Sequence, residues 1–173
     1  QMTGFKPHLL EGVTGSGKTE IYIECIKEVI ARSQQALVII PEIGLTPQTK
    51  YRFETALGCE VPLIHSGLTE AERGRTWAMA RSGAARVVLG TRSSVFCSFR
   101  ALGLIVVDEE HDPSFRQQDH PRYSARDVAV KRAQICNCPI IMGSATPSLE
   151  TIANCDQGRY CLLYTSPSPR DRG

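Results

Sequence analysis

Gly12-Val13-Thr14-Gly15-Ser16-Gly17-Lys18-Thr19 has four residues between its outer glycines, then a lysine and a hydroxyl. Glycines at that spacing let successive N–H groups converge on phosphate oxygens, and a helix starting beside Lys18 adds the positive end of its dipole. Lys18 is then in reach of the β- and γ-phosphates of a nucleotide, and the Thr19 hydroxyl suits Mg²⁺. Gly12, Thr14, Gly15, Ser16, Gly17, Lys18 and Thr19 are the candidate nucleotide-binding residues. A second carboxylate-bearing element is required, and Leu104-Ile105-Val106-Val107-Asp108-Glu109-Glu110-His111 supplies it. Acids directly after a buried strand fall where α/β sheets place ligands. Asp108 suits Mg²⁺ through its water shell, and Thr19 and Asp108 form the metal pair. Glu109 can orient or deprotonate an attacking water. Lys18, Asp108 and Glu109 are therefore the catalytic candidates, with ATP and Mg²⁺ as cofactors. A dinucleotide site is disfavoured because this turn lacks G-x-G-x-x-G.

These residues need a frame. Short apolar, β-branched runs at 8–10, 37–40, 61–64, 87–89, 104–107, 140–142 and, more weakly, 160–163 alternate with amphipathic stretches at 19–31, 47–57, 70–82, 125–134 and 148–153. Near-continuous apolar runs suit a parallel sheet covered on both faces. The spacing of about 30 residues reads as βαβ units. Thr69 with Glu72, and Ser124 with Asp127, have the spacing of capping boxes. The expected architecture is one α/β lobe, a mostly parallel sheet with helices on both faces, spanning residues 1–163. Residues 164–173 are expected to be disordered, since 165–173 hold two prolines and no aliphatic or aromatic side chain. That segment reads either as an ordinary tail or as the non-native end of a truncated reading frame.

The composition fits such a lobe. The 173 residues are 42% hydrophobic and 22% charged, with 20 basic against 18 acidic side chains, a net charge of +2. Disorder, fibres and disulfide miniproteins are excluded. No run approaches the about 18 apolar residues of a membrane span. Seven cysteines without an export signal point to reduced thiols and a cytoplasmic protein. Cys136 and Cys138 are too close for a C-x2-C zinc knuckle, so no zinc is expected. With so small a net charge, any nucleic-acid contact has to come from local placement.

Two turns and a loop offer that placement. Residues 41–46 end a strand ahead of a helix, with Gly44 allowing close backbone approach and Thr46 offering a hydroxyl to a DNA phosphate. Gly90-Thr91-Arg92 lies equivalently and adds a guanidinium. Both can also be read as plain strand-to-helix turns. Between Asp112 and Tyr123, Phe115, Arg116 and Tyr123 pair aromatic rings with arginine, a combination that stacks unpaired bases. The same rings can instead anchor a long loop to the core.

Asp108-Glu109-x-His111 followed by Ser144-Ala145-Thr146 resembles motifs II and III of superfamily-two helicases. The runs 12–20, 41–48, 65–68, 90–93, 107–112, 123–127 and 143–148 are similar to the primosomal protein N′ family of replication-restart DNA helicases, a likeness extending over about residues 5–163. The resemblance implies a RecA-like P-loop NTPase lobe of a 3′-to-5′ DNA helicase. It implies that His111, Ser144 and Thr146 couple nucleotide state to DNA, and that the 112–123 loop links single-strand binding to hydrolysis. The partners implied are single-stranded or forked DNA, a second motor lobe and primosome proteins, with no membrane. The family's second lobe, arginine finger and zinc-binding cysteine pairs have no counterpart in this sequence, so the chain alone is expected to lack motor activity. Two other readings stay open: a lobe of another superfamily-two translocase, and a nucleotide- or DNA-binding module without catalysis.

Overall fold

The computed structural model describes residues 3–12, 17–110, 112–115 and 123–144, together with the backbone of 161–164. The elements are β1 (Pro7–Glu11), α1 (Lys18–Ala31), β2 (Gln35–Ile39), α2 (Pro47–Leu57), β3 (Leu63–Ile64), α3 (Glu70–Ser82), β4 (Val87–Gly90), β5 (Leu102–Val107), α4 (Ala125–Cys136), β6 (Ile140–Ser144) and β7 (Cys161–Tyr164). Short 3₁₀ turns cover Glu42–Gly44, Arg92–Phe96 and Pro113–Phe115. The strands form one sheet in the order β3-β4-β2-β5-β6-β1-β7, every neighbouring pair parallel. This is the expected α/β architecture.

Strand pleating divides the core into two layers. On one face Leu10, Ala36, Val38, Val87, Leu89, Leu104, Val106 and Ile141 pack against Tyr22, Ile23, Ile26 and Val29 of α1 and Phe53 of α2. On the other, Leu37, Ile39, Val88, Ile105, Val107, Ile140 and Met142 meet Ala80 of α3 and the alanine stripe Ala125, Ala129, Ala133 of α4. Small residues at that spacing let α4 lie close to the sheet. Both faces are covered, so the strands carry apolar side chains at odd and even positions alike.

Sequence-coded caps bound the helices. Thr46 accepts from Thr49 N–H at 3.2 Å, Pro47 opens α2, and Gly58 ends it in the left-handed region. At α3, Thr69 and Glu72 form the reciprocal box, each side chain accepting the other's N–H at 3.1 Å. At α4 only half a box forms. Ser124 Oγ accepts from Asp127 N–H at 3.4 Å, but the Asp127 carboxylate takes Arg126 Nε and Nη2 at 3.1 and 3.0 Å instead of reaching back.

Strand ends differ from expectation for local reasons. The apolar run 61–64 pairs only at Leu63–Ile64, because Pro62 has no N–H and contributes only its carbonyl, to Leu89 N–H at 3.0 Å. β5 starts two residues early and β6 runs on to Ser144. The expected helix 148–153 and the tail 165–173 lie outside the described residues.

Gln35, buried at the start of β2, closes the amino end of the sheet. Its Nε2 donates to Ala80 O at 2.9 Å and Ala85 O at 2.6 Å, and its Oε1 accepts from Ala101 N–H at 2.8 Å. Gln35→Leu keeps the bulk and strips these buried backbone groups of partners. We expect a loss of about 2 kcal/mol in urea unfolding, with an unchanged denaturant slope.

Candidate nucleotide-binding and hydrolysis site

β1 ends at Glu11, and Gly12 N–H donates to Ser144 O at 3.2 Å, tying the start of the glycine-rich loop to the end of β6. Gly17, at φ 94°, turns the chain into α1 through a conformation that favours glycine. Lys18 and Tyr22 lie one helical turn apart on the buried stripe of α1, so both side chains face the carboxyl end of the sheet.

The two chain segments meet there. Lys18 Nζ, with the residue 7% exposed, lies 2.9 Å from Gly12 O and 3.2 Å from Glu109 Oε1. Tyr22 Oη donates to Asp108 Oδ1 at 2.7 Å. Thr19, Asp108 and Glu109 open onto a cleft of about 280 Å³ that continues past Gly44 and Arg52. Arg52, on α2, pairs with Glu20 on α1 at the rim.

Burial pushes the Asp108 carboxyl above its ordinary range; the Tyr22 hydroxyl draws it part of the way back, Glu109 adds to the rise and Lys18 opposes it. Tyr22 is itself held far above the usual phenol range by burial and by Asp108, so it stays a donor. Gly143 on β6 makes the Tyr22–Asp108 bond possible. A Cβ at 143 would fall within the Tyr22 hydroxyl and lie 3.0 Å from Asp108 Oδ1.

One ammonium to meet phosphate, and a hydroxyl and two carboxylates whose oxygens are hard ligands, fit a phosphate chain with a divalent cation. Lys18 would meet phosphate, and Thr19 and Asp108 would hold the metal. Ser144, fully buried at the end of β6, sits beside this cluster through its carbonyl. Thr14, Gly15, Ser16, His111, Thr146 and Arg116 lie outside the described residues.

The candidate DNA residues separate. Thr46 and Thr91 line a shallow groove of about 500 Å³ with Lys50 and His65. Thr46 is already engaged as the α2 cap, and Gly44 O accepts from Thr49 Oγ1 at 2.8 Å. Thr91 is 4% exposed, and Arg92 Nη1 donates to Ser114 O at 3.2 Å. Phe115 corrects the stacking expectation. It is 1% exposed within the α4-side core, so its ring faces are taken by packing and it anchors the loop. Tyr123 packs partly against that core and makes an edge-on contact with Phe96, centroids 5.2 Å apart. Phe96 is 52% exposed and was not singled out by spacing.

Tyr22, Glu110 and Arg126 are the additions that sequence reading missed. The signal for Tyr22 was its i+4 spacing from Lys18. Glu110 and Arg126 form a buried ion pair at 3.2 Å, which no sequence period reveals.

Two outcomes follow from this geometry. Asp108→Asn should gain stability relative to the unaltered chain as pH rises. A carboxyl raised by folding favours the native state only while protonated. Its penalty is absent below the ordinary value of 3.8 and complete above the raised value. Thermal melting of both proteins from pH 4 to 8 measures this difference, which should widen upward. Gly143→Ala should lower stability by about 1–3 kcal/mol by forcing Tyr22 aside, and calorimetry would read it.

The sequence pattern of the DEAD/DEAH box helicases matches residues 3–155. Replication restart protein PriA of Haemophilus influenzae is 52% identical over 164 residues, which is 95% of this chain and 22% of that protein. PriA of Bacillus subtilis is 48% identical over 158 residues, 91% of this chain and 20% of that protein. The chain therefore spans about a fifth of the length of these curated relatives. The structure of RecG bound to a three-way DNA junction superposes with a TM-score of 0.66 at 23% identity, over 95% of this chain and 22% of that one, a likeness of fold. Fold, motif order and this match agree: the chain belongs to the DEAD/DEAH box helicase family.

Proposed function

We propose that this chain is the ATP-binding and ATP-hydrolysing lobe of a 3′-to-5′ DNA helicase that acts in replication restart. The observation that carries the reading is the meeting of Lys18 and Thr19, at the head of α1, with Asp108 and Glu109, at the end of β5, around one cleft. The PriA relatives support the process, and the DNA junction in the RecG structure supports the substrate class.

Lys18 neutralises phosphate charge while keeping Glu109 in reach. Glu109 takes the proton from the attacking water, and as the γ-phosphorus–oxygen bridge breaks the electron pair stays on the β-phosphate oxygen. Asp108, steadied by Tyr22, and Thr19 would hold a magnesium ion, which would supply positive charge to the phosphate oxygens. The groove at Thr46 and Thr91, flanked in sequence by Gly44 and Arg92, takes single-stranded or forked DNA through its phosphates, and Tyr123, beside Phe96, offers an aromatic contact of its own. Arg116 adds charge, and His111, Ser144 and Thr146 couple the two sites. A second motor lobe and the primosome proteins complete the assembly, in the cytoplasm.

Nucleotide-binding titrations with Lys18→Ala and Glu109→Gln test the role assignments. Lys18→Ala should weaken binding by about 10-fold or more. Glu109→Gln should bind within about 3-fold of the unaltered chain, yet hydrolyse about 10²–10⁴-fold more slowly. Equal loss of binding in both would refute the assignment of Glu109. Substituting this chain for the matched segment of the Haemophilus influenzae PriA should retain DNA-stimulated hydrolysis and strand displacement. A well-folded chimera that binds DNA but hydrolyses nothing would leave a binding module only.

A further inference from the structure

Glu109 has φ +50°, a left-handed backbone that glutamate seldom adopts. Ser33 and Asn137 are the other described non-glycine residues there, and both lie at helix carboxyl ends, where that conformation is routine. Glu109 lies in the turn after β5. The turn is fixed from both sides: Asp108 N–H donates to Ile39 O of β2 at 2.9 Å, and Glu110 N–H donates to Gly143 O of β6 at 3.0 Å.

Those two bonds hold peptide groups but leave the side chain of Glu110 to be placed. It turns to the α4 face, fully buried, and meets Arg126 Nη1 at 3.2 Å, with the Arg126 side chain 8% exposed. Arg126 is braced in turn by Asp127 Oδ1 and by its place in the first turn of α4. Rotating the backbone at Glu109 out of the left-handed region would swing the Glu110 Cα and pull its carboxylate from this pair. Burying two charges is a costly way merely to fill space. The pair anchors the residue next to the one that faces the cleft and Lys18.

We propose that Arg126 is a positioning residue for hydrolysis: its buried pair with Glu110 holds the left-handed backbone of Glu109, which aims that carboxylate into the nucleotide cleft. This rests on Glu109 being the proton acceptor.

The test uses this chain, isotopically labelled, and the double variant Glu110→Gln with Arg126→Met, which leaves no buried charge unpaired. The HN–Hα coupling and Cα shift of Glu109 report the sign of its φ independently of any activity. The double variant should keep a dispersed spectrum and nucleotide affinity within about 3-fold, and lose the left-handed signature. Carried into the Haemophilus influenzae PriA chimera, the same two substitutions should slow DNA-stimulated hydrolysis about 10- to 100-fold, as small misplacements do. Arg126→Lys, which restores the charge without the fork, should recover part of both and serves if the double variant does not fold. A folded variant whose Glu109 keeps φ positive overturns the proposal, as does a rate loss matched by an equal loss of affinity. Undiminished nucleotide binding in Lys18→Ala would overturn the functional reading instead, with the Glu109 signature still deciding the backbone claim.

Discussion

The N–H groups of Asp108 and Glu110 donate to carbonyls of β2 and β6, the strands on either side of β5, so three consecutive acids are fixed before any ligand arrives. Strict pleating would put Asp108 and Glu110 on one face, and the left-handed backbone of Glu109 breaks that alternation. Asp108 turns to the α1 face, where Tyr22 meets it, and Glu110 turns to the α4 face, where Arg126 meets it. Glu109 is left at the edge between them, facing Lys18. Each carboxylate thus has a different environment and a different partner. Like charges this close can coexist only because the protein separates them by face and compensates each one.

That arrangement also explains the demands on neighbouring positions. Gly143 must be small because the Tyr22–Asp108 bond crosses its Cα. The ordering is bought with buried polarity: Lys18, Glu110, Arg126 and Ser144 all lie nearly out of solvent at the carboxyl end of the sheet. Such groups are tolerable where hydrogen bonds and ion pairs satisfy them, and they favour one arrangement over looser alternatives.

Much of this was legible in the sequence. Aliphatic runs located the strands because a doubly covered parallel sheet writes both faces in apolar residues, and Thr69 with Glu72 marked the start of α3 through local chemistry. The glycine-rich run before α1 and the acids after β5 stand out in the sequence by residue type and spacing. What escaped depends on meetings between distant segments. Arg126 reads as the start of an amphipathic helix, and only the packing of α4 reveals its buried partner. Phe115 reads as a loop aromatic beside arginines; the core claimed it, since a buried ring gains more from packing than an exposed one. Asp127 had capping-box spacing, but Arg126 outcompeted the backbone for its carboxylate.

The place of β1 in the sheet has a consequence for how the protein is made. Its neighbours are β6 and β7, and just ahead of it Phe5 N–H reaches Asn137 Oδ1, 132 residues further along. The strands β3, β4, β2 and β5 can zip together from a shorter stretch of chain, whereas β1 must wait for β6. During synthesis from the amino terminus, the segment carrying the glycine-rich loop emerges well before β6 and docks late, because closing so long a span is entropically slow. The nascent chain therefore holds an unpaired Leu9-Leu10 strand until Met142 and Gly143 follow. The head of α1, which lines the cleft, is therefore seated against β5 only once β1 has its place beside β6.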